Sequence, residues 1–263
     1  MGELFAEFGS QTQDSGNVAY GVRIGPDRFF VKTAGDPDDP APYLSHPERV
    51  ALLRNAVRLS ASCSHPALAR LWRVVESPVG PMLVYAWADG DLLGAPRAAR
   101  NDPASAFQCF RALPVGEIVA CLDTVYSLHR DLGRAGWVAA DFYDGCLIYD
   151  FGTQRLTVVD LDMYRPGPFV NTMGRMFGSS RFMAPEEFER GAIIDERTTV
   201  FVMGRTAAVF LGDGTLDRGP FRGSSALLDV VMRACDPDRS RRFETMAAFY
   251  DAWRDAQRRF DEV

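Results

Sequence analysis

Residues 141–162 read DFYDGCLIYDFGTQRLTVVDLD, and the interpretation of the whole chain depends on this stretch. Two short runs within it, CLIYD and RLTVVDL, are rich in apolar and β-branched residues and flank the string FGTQ. Such runs on either side of a short link that contains glycine are typical of a β-hairpin. The pattern therefore predicts two strands joined at FGTQ, with Asp141 before the hairpin and Asp160 and Asp162 at its end.

The rest of the chain falls into two regions of different character. Residues 1–88 contain five short runs rich in β-branched and aromatic residues and one helical stretch, PERVALLRNAVRLSASC. Residues 89–263 are mostly helical, and their stretch RTTVFVMGRTAAVFL is apolar on nearly all sides, which predicts a buried helix. We expect an α+β chain with a five-stranded first part that carries one helix and a mostly helical second part.

Composition excludes several classes of protein. No run of 18 apolar residues is present, so no membrane partner is expected, and the start MGELFAEFGS does not resemble a signal peptide. The five cysteines are odd in number and widely spaced, which disfavours both a disulfide framework and a zinc site. The net charge of -6 disfavours a nucleic-acid partner. We expect a cytoplasmic protein.

The basic residues are almost all of one type. Of the 29 lysines and arginines, Lys32 is the sole lysine, and it lies in the predicted strand RFFVKTA. Lysine carries a compact, movable charge, whereas arginine carries a planar fork. The presence of lysine at this one basic position indicates a contact that a guanidinium cannot make. The alternative is chance, since some position had to be the last one to carry lysine.

The order of several motifs resembles that of the protein kinases, the bacterial serine/threonine type in particular, over nearly the whole chain. FVKT places Lys32 at the family's phosphate-binding strand lysine, and SHPALARL and PMLVYAWADGDLL are similar to the segment after the N-lobe helix and to the hinge. SSRFMAPEEF contains the family's APE, so Glu186 is expected to pair with Arg242 of DPDRSRRF. The resemblance implies a bilobal protein-kinase-like fold, with a five-stranded N-lobe at 1–88 and a trimmed, mostly helical C-lobe at 89–263.

Two alignments of the catalytic residues compete. The strings HRD at 129–131 and DFG at 150–152 match the family literally, and their aspartates are 19 residues apart. Asp141 and Asp160 are also 19 residues apart, and DFYDGCLIYD is similar to the family's catalytic loop. We favour the second alignment, because the first leaves the apolar strand RLTVVDL in an exposed loop and starts the catalytic residues inside a helix. His129 is then expected to be structural.

Under this alignment the resemblance implies that ATP and Mg²⁺ bind the chain. Asp141 would take the proton of the acceptor hydroxyl, Asp160 would ligate the metal, and Lys32 would hold the α- and β-phosphates. Asp162 and Asp144 are further candidate metal ligands. The expected nucleotide-binding residues are Gly16, Val18, Phe30, Lys32, Tyr85, Ala86, Trp87 and Ala88. The expected reaction transfers the γ-phosphoryl group of ATP to a hydroxyl of a protein or a small molecule.

The chain departs from the family at several functional positions. Cys146, a poor magnesium ligand, replaces the catalytic-loop asparagine. The other departures are Gln11 and Gln13 at glycine positions of the glycine-rich loop, Asn55 or Ala56 at the helix glutamate, Ala139 and Ala140 at the His and Arg before the catalytic aspartate, Tyr143 at a catalytic-loop lysine, and Thr199 at a buried bracing aspartate. A pseudokinase that binds nucleotide or acts as a scaffold is therefore the alternative.

The missing arginine of the catalytic loop also bears on regulation, because many kinases use it to contact a phosphorylated residue. We expect a constitutively ordered segment at 163–180, with no activation by phosphorylation at Thr172, Ser179 or Ser180. The short, glycine-rich stretch 212–223 leaves no room for another helix with long connections, so we expect a small docking surface there.

Overall fold

The computed structural model describes residues 2–9 and 16–261, with side chains described as far as Arg258. Within these residues the chain is mixed α+β, with a five-stranded antiparallel sheet and six α-helices. It divides into two compact units, Met1–Asp89 and Gly90–Val263. None of the helices in the described part is both long enough and apolar enough to cross a membrane.

The first unit is built on the antiparallel sheet. Its strands are β1 (Glu3–Phe8), β2 (Val18–Ile24), β3 (Asp27–Thr33), β4 (Leu71–Ser77) and β5 (Gly80–Ala86), and its helix is α1 (His46–Ser62). The strand order is β1-β2-β3-β5-β4, so β3 is the central strand. The prediction of five strands and one helix in this part of the chain is confirmed.

Helix α1 begins at a cap that the local sequence supplies. The backbone N–H and the hydroxyl of Ser45 both donate to the carboxylate of Glu48, at 2.8 and 2.6 Å. One face of the helix, centred on Leu53, packs on Leu83 of β5 and on Ala34 next to β3. Leu53 and Leu83 are fully buried, and each such leucine stabilises the unit by about 2 kcal/mol.

The second unit is mostly helical. Its helices are α2 (Ala106–Ala112), α3 (Val115–Arg134), α4 (Glu196–Leu211), α5 (Ser225–Ala234) and α6 (Met246–Asp261). Helix α4 is buried along most of its length, as its apolar sequence predicts. Tyr126 of α3 meets Trp253 of α6 edge to face, with ring centroids 5.0 Å apart, and donates its hydroxyl to the Met203 carbonyl at 3.0 Å. These contacts tie three helices into one core.

Short strands and turns connect these helices. The strands are β6 (Asp91–Leu92), β7 (Trp137–Val138), β8 (Leu147–Asp150), β9 (Arg155–Val158), β10 (Arg165–Pro166), β11 (Phe169–Val170) and β12 (Ile193–Ile194). Strands β8 and β9 form the predicted hairpin, with β6 beside β8, while β7 pairs with β10 and β11 with β12. Two 3₁₀ turns lie at Asp144–Cys146 and Pro185–Phe188.

Helix α2 and the two-residue strands are absent from the sequence-based prediction. Helix α2 has only 7 residues, too few to show a clear helical period. Ser105 nevertheless marks its start, because its hydroxyl accepts a hydrogen bond from the Gln108 N–H at 3.3 Å. Residues 212–223 form no α-helix, as predicted from their composition.

Candidate functional site

The DFG string at 150–152 lies at the turn of the hairpin. Strand β8 ends at Asp150, and residues 151–154 form the link to β9. The Asp150 carboxylate accepts hydrogen bonds from the hydroxyl of Thr153 at 2.7 Å and the N–H of Gly152 at 2.9 Å. Both bonds lower the pKa of Asp150, and the bond from the Thr153 hydroxyl contributes more. This aspartate closes a turn, which makes it a weak candidate for a metal ligand.

The HRD string at 129–131 lies inside helix α3. His129 is buried, with Nδ1 2.7 Å from the Val125 carbonyl and Nε2 2.6 Å from the Tyr164 hydroxyl. Asp131 forms ion pairs with Arg130 at 2.9 Å and, more loosely, with Arg134 at 3.6 Å. His129 therefore connects the helix to the segment that follows the hairpin, which is a structural role.

Asp141 and Asp160, the aspartates of the favoured alignment, lie just before and just after the hairpin segment. Both have a left-handed backbone, with φ of 62° and 59°. A non-glycine residue held there costs on the order of 1 kcal/mol, so the surrounding structure must compensate for it. Burial is the main cause that raises the pKa of the Cys146 thiol and of the Tyr143 hydroxyl. The charges of Asp141 and Asp160 raise both pKa values further. The segment that leads into Asp160 also contacts the 3₁₀ turn Asp144–Cys146 directly, because the Val159 N–H donates to the Cys146 carbonyl at 2.9 Å.

Cys146 ends that turn, at the position where the resemblance expects asparagine. Its side chain is buried, and its thiol donates to the Asp141 carbonyl with Sγ and O 3.5 Å apart. Burial raises the pKa of the thiol well above its usual value, and the charges of Asp160 and Asp141 add to the effect. A thiol that stays protonated is no ligand for Mg²⁺, which prefers oxygen. Its contact helps to hold the backbone of Asp141 instead.

The three predicted metal ligands differ in their surroundings. Asp144 is buried and forms an ion pair with Arg181; burial raises its pKa, and Arg181 opposes that rise. Asp162 is buried, whereas Asp160 is exposed. In the described part of the chain no group of three or more His, Cys, Asp or Glu side chains is placed to hold a metal ion. Asp160 and Asp162 still fit Mg²⁺, because that ion commonly takes one or two carboxylates and completes its shell with phosphate and water.

A threonine braces the loop before Asp141. The hydroxyl of Thr199 in α4 accepts a hydrogen bond from the Ala139 N–H at 3.0 Å, and both residues are buried. This is the position at which the resemblance expects an aspartate. A neutral hydroxyl satisfies the single buried N–H without bringing a charge into the core.

Glu186 and Arg242 form the ion pair that the sequence predicts. Arg242 donates to the two carboxylate oxygens at 2.7 and 3.0 Å, and the Thr198 hydroxyl donates to the same carboxylate at 2.8 Å. The Arg242 side chain is completely buried. Burial alone would raise the pKa of Glu186, but Arg242 and Thr198 hold it below its usual value. The pair joins the second 3₁₀ turn to the loop before α6.

Sequence analysis did not single out Asn171, which holds the segment between the hairpin and that turn. Its Nδ2 donates to the carbonyls of Gly174, Glu187 and Glu186 at 2.5, 3.2 and 3.3 Å. Its Oδ1 accepts from the N–H groups of Met173 and Gly174 at 3.0 and 3.1 Å. The local part of this pattern, an asparagine bonded to the backbone two residues ahead, is a turn signal that the sequence does contain.

In the first unit, Lys32 lies on the central strand β3. It is opposite Leu83 of β5, which belongs to the cluster under α1. Directly opposed residues of an antiparallel pair face the same side of the sheet, so Lys32 faces α1, where it is 7% exposed. The only carboxylate in the sequence of α1 is Glu48, which is bonded to Ser45 at the helix start. The family's helix glutamate has no counterpart on α1.

Four of the other predicted nucleotide-binding residues lie within the sheet: Val18, Phe30, Tyr85 and Ala86. Phe30 is opposite Tyr85 in the pairing of β3 with β5, and Val18 is opposite Thr33 in the pairing of β2 with β3. The Thr33 hydroxyl donates to the Val18 carbonyl at 2.9 Å. The sheet register thus places Phe30 and Tyr85 two residues from the pair of Lys32 and Leu83.

Gly16 is held by a structural contact that its sequence does not reveal. Its φ is +82°, and a Cβ at this position would come within 2.2 Å of Pro42. Its carbonyl accepts a hydrogen bond at 2.8 Å from the guanidinium of Arg49, which is buried. Glycine is therefore required here by both the positive φ and the packing against Pro42. Gln11 and Gln13, at the other positions of the predicted glycine-rich loop, lie outside the described residues.

Ala86, Trp87 and Ala88, the predicted hinge residues, continue from β5. Ala86 is the last residue of the strand, and the Trp87 N–H donates to the Arg28 carbonyl at 3.1 Å. The Trp87 ring also meets the Phe5 ring, with centroids 4.9 Å apart. Backbone pairing of this stretch therefore extends beyond the strand by one residue.

Comparison with models of known protein families finds no match, and comparison with curated proteins finds no significant relative.

Proposed function

We propose that the chain is an ATP- and Mg²⁺-dependent phosphotransferase with a bilobal, protein-kinase-like fold. The observation that carries this proposal is that Cys146 contacts the chain on both sides of the hairpin, at Asp141 through its thiol and at Val159, next to Asp160, through its carbonyl. The aspartates of the HRD and DFG strings are engaged elsewhere, Asp131 in ion pairs of helix α3 and Asp150 in hydrogen bonds to the hairpin turn. The favoured alignment is therefore also the one whose aspartates lie at or next to residues that Cys146 contacts.

Phosphoryl transfer requires little covalent chemistry from a protein, which mainly positions the phosphates and neutralises their charge. In the proposed reaction the acceptor oxygen forms a bond to the γ-phosphorus, the bond from that phosphorus to the β,γ-bridging oxygen breaks to release ADP, and Asp141 accepts the hydroxyl proton. Lys32 holds the α- and β-phosphates, and Asp160 and Asp162 are the residues that would hold magnesium. Magnesium held there would supply positive charge that offsets the charge of the phosphates. The acceptor is a hydroxyl of a protein or of a small molecule.

A second function, that of a nucleotide-binding pseudokinase, is favoured by two observations at the same turn. The protonated thiol of Cys146 replaces an amide that ligates metal in the family, and Asp144 is engaged by Arg181. The thiol and the ion pair both reduce the number of oxygen atoms near Asp160 that are available to bind a metal ion. A protein with this arrangement can bind nucleotide and still transfer phosphate too slowly to matter.

The first experiment uses calorimetry to measure binding of ATP with Mg²⁺ to the wild type, to two isosteric aspartate variants and to a lysine variant. Asp160→Asn is expected to remove magnesium-dependent binding, and Asp150→Asn, the matched control in the same hairpin, is expected to leave it unchanged. Lys32→Arg is expected to weaken ATP binding at least about tenfold, because an arginine at the phosphates cannot reproduce a compact charge. Loss of binding in Asp150→Asn alone would show that the HRD and DFG alignment is the correct one.

The second experiment separates the two functions by following radiolabelled γ-phosphate from ATP to the protein itself, to protein acceptors and to small hydroxyl compounds. Under the phosphotransferase proposal, Asp141→Ala slows transfer by at least about a hundredfold, the usual scale for a positioned general base. Wild-type protein that binds ATP and transfers no label to any acceptor would establish the pseudokinase instead.

A further inference from the structure

A cluster of four arginines extends in the second unit from Asp144, at the start of the first 3₁₀ turn, to helix α2. We call Arg97, Arg100, Arg111 and Arg181 the arginine cluster. Burial lowers the pKa of Arg100, the charges of Arg181 and Arg97 lower it further, and Asp144 opposes them. Burial and the charge of Arg181 likewise lower the pKa of Arg111. Each guanidinium of the cluster therefore lies within electrostatic reach of at least one other.

Helix α2 holds the cluster together through two neighbouring residues. The guanidinium carbons of Arg181 and Arg111 lie 5.3 and 5.5 Å from the centroid of the buried Phe107 ring. Gln108 accepts a hydrogen bond from the Arg111 guanidinium at 3.2 Å and donates to the Arg100 carbonyl at 2.8 Å. Stacking on an aromatic ring restricts the planar guanidinium. The helix thus positions two guanidinium groups and the backbone of a third arginine.

The members of the cluster differ in how many of their donors are used. Arg111 donates to the Gly212 carbonyl, and Arg181 donates to the Asp144 carboxylate. Arg100 is partly exposed, and among the described residues neither its Nε nor that of Arg181 has a hydrogen-bond partner. A guanidinium carries five N–H donors, and leaving buried ones unsatisfied is costly. Arg100 and Arg181 therefore retain donors for an anion.

The cluster also has more positive than negative charge. Within the described residues, its guanidinium groups are opposed by Asp144 and by Asp213, whose charge counteracts the lowering of the pKa of Arg111. Asp213 is exposed, and its carboxylate also accepts the Thr215 hydroxyl at 2.7 Å. Four arginines and two aspartates leave a surplus of two positive charges. A phosphate monoester carries close to two negative charges at neutral pH, whereas a carboxylate carries one.

Two contacts place the cluster beside Asp141. Asp144 follows Asp141 by three residues and pairs with Arg181. Gly178, three residues before Arg181, lies so close that a Cβ there would be 3.4 Å from Oδ1 of Asp141. Residues 178–181 therefore run alongside residues 141–144. Three residues of extended chain span at most about 10 Å, so a peptide with a hydroxyl at Asp141 reaches the cluster within a few residues.

An extended ligand suits this region better than an enclosed one. The cavity between the Asp141 loop and the segment from Met163 to Phe177 has a volume of about 10 Å³, which is room for one water molecule. A ligand that reaches Asp141 must therefore lie on the surface. The net charge of -6 disfavours a nucleic acid as that ligand. A short peptide with one concentrated negative charge fits both facts.

We infer that the arginine cluster binds the phosphate group of a phosphorylated peptide and thereby holds a serine or threonine hydroxyl of the same peptide near Asp141. The use of that hydroxyl as the phosphoryl acceptor rests on the proposed function, whereas the binding does not. In the transfer the hydroxyl oxygen forms a bond to the γ-phosphorus of ATP, the bond from that phosphorus to the β,γ-bridging oxygen breaks to release ADP, and Asp141 receives the proton. The substrate class is a peptide that already carries a phosphate.

The test titrates peptides of about ten residues, with one serine and one phosphoserine about three residues apart in either order, without nucleotide or metal, in a calorimeter. Saturable binding of at least one phosphopeptide is expected below about 1 mM, and at least about tenfold weaker binding of the same peptide without phosphate. The double variant Arg97→Met/Arg100→Met is expected to weaken phosphopeptide binding at least about tenfold. Arg155→Met, which changes an exposed arginine of β9 outside the cluster, is the matched control and is expected to change it less than about twofold.

No saturable binding of either phosphopeptide, or an equal loss in the control and the double variant, would overturn the inference. Inorganic phosphate or a short oligonucleotide that binds as tightly as the phosphopeptide would overturn the assignment to a peptide. If the double variant does not fold, judged by circular dichroism, Arg97→Glu decides instead. It reverses an exposed charge and is expected to weaken binding at least about threefold.

Radiolabelled ATP with Mg²⁺ then separates this inference from the proposed function. A phosphopeptide that binds and is never labelled contradicts its role as the acceptor and leaves the binding site intact. Label that enters serine peptides equally with and without the phosphoserine contradicts the role of the arginine cluster and leaves the phosphotransferase intact.

Discussion

Glu187→Gln is expected to stabilise the second unit at neutral pH and to remove part of the pH dependence of its unfolding. Glu187 lies in the 3₁₀ turn Pro185–Phe188, is 1% exposed, and accepts the Ala184 N–H at 2.7 Å. Burial, with a further contribution from Glu186, raises the pKa of Glu187 to about 8. Glutamine keeps an oxygen for the Ala184 N–H and has the charge of the protonated acid.

The magnitude follows from the difference between the folded pKa of about 8 and the ordinary value of 4.5. Between those two values the folded protein binds more protons at Glu187 than the unfolded chain, so the free energy of unfolding falls as the pH rises. At pH 7 the accumulated loss is on the order of 3 kcal/mol, since each pKa unit corresponds to about 1.4 kcal/mol. The glutamine variant lacks this loss, so its advantage grows with pH from near zero at about pH 4.5.

The assay is urea unfolding followed by circular dichroism from about pH 5 to about pH 8. Glu189→Gln, an exposed neighbour, is the matched control and should follow the wild type. Glu186→Gln should instead be less stable than the wild type by a similar amount throughout this range, because Arg242 lowers the pKa of Glu186 and that stabilisation is fully present above the ordinary value of 4.5. A Glu187→Gln variant that is less stable than the wild type at about pH 8, or whose advantage does not change with pH, would refute the reasoning.

Three further substitutions probe the contacts around the candidate site. Arg242→Met leaves Glu186 buried without its ion-pair partner and should lower the free energy of unfolding by about 3–5 kcal/mol in urea titrations. Asn171→Ala leaves buried backbone groups unsatisfied and should increase amide hydrogen exchange within residues 163–183 more than elsewhere. Thr199→Val removes the buried acceptor of one N–H group and should cost about 1–3 kcal/mol in the same titrations.

Two of these substitutions, Arg242→Met and Asn171→Ala, have a nearby control. Arg241→Met changes an exposed arginine and should alter stability by less than about 1 kcal/mol. Thr172→Val lies beside Asn171 but is exposed, so it should leave both stability and exchange in that segment unchanged. Controls that are as damaging as their partners would mean that the buried hydrogen bonds are not the cause.

The hairpin at residues 147–158 could be predicted because its signal is local. Two apolar runs with a glycine-containing link define strands and turn without reference to the rest of the chain. The same pattern placed Asp150 at the end of the first strand, next to the turn, and the hydrogen bond from the Thr153 hydroxyl shows why an aspartate is favoured there. The literal match to DFG was therefore less informative than the two apolar runs on either side of it.

The contacts of Arg49 and Asn171 could not be predicted, since they depend on partners far away in sequence. Arg49 bonds the Gly16 carbonyl across 33 residues, and Asn171 bonds the Glu186 carbonyl across 15. A charged residue inside a helical pattern is ordinarily solvated, so the sequence favours an exposed Arg49. Only the folded backbone brings carbonyl groups to these side chains.

The replacements at residues 140, 146 and 199 depend on one another physically. Each puts a neutral side chain, from Ala140, Cys146 or Thr199, where the resemblance expects a charged group or an amide, and all three residues are at most 3% exposed. A buried charge must have a partner, whereas a buried hydroxyl needs one hydrogen bond and a methyl group none. The Thr199 hydroxyl satisfies the Ala139 N–H without a charge, whereas an aspartate at 199 would bring a carboxylate into the same buried position. The stretch from Ala139 to Asp141 is therefore held by neutral contacts, from Thr199 and Cys146, and it contains no arginine to bind a phosphorylated residue of the segment. This is the physical basis for expecting that phosphorylation of Thr172, Ser179 or Ser180 does not activate the protein.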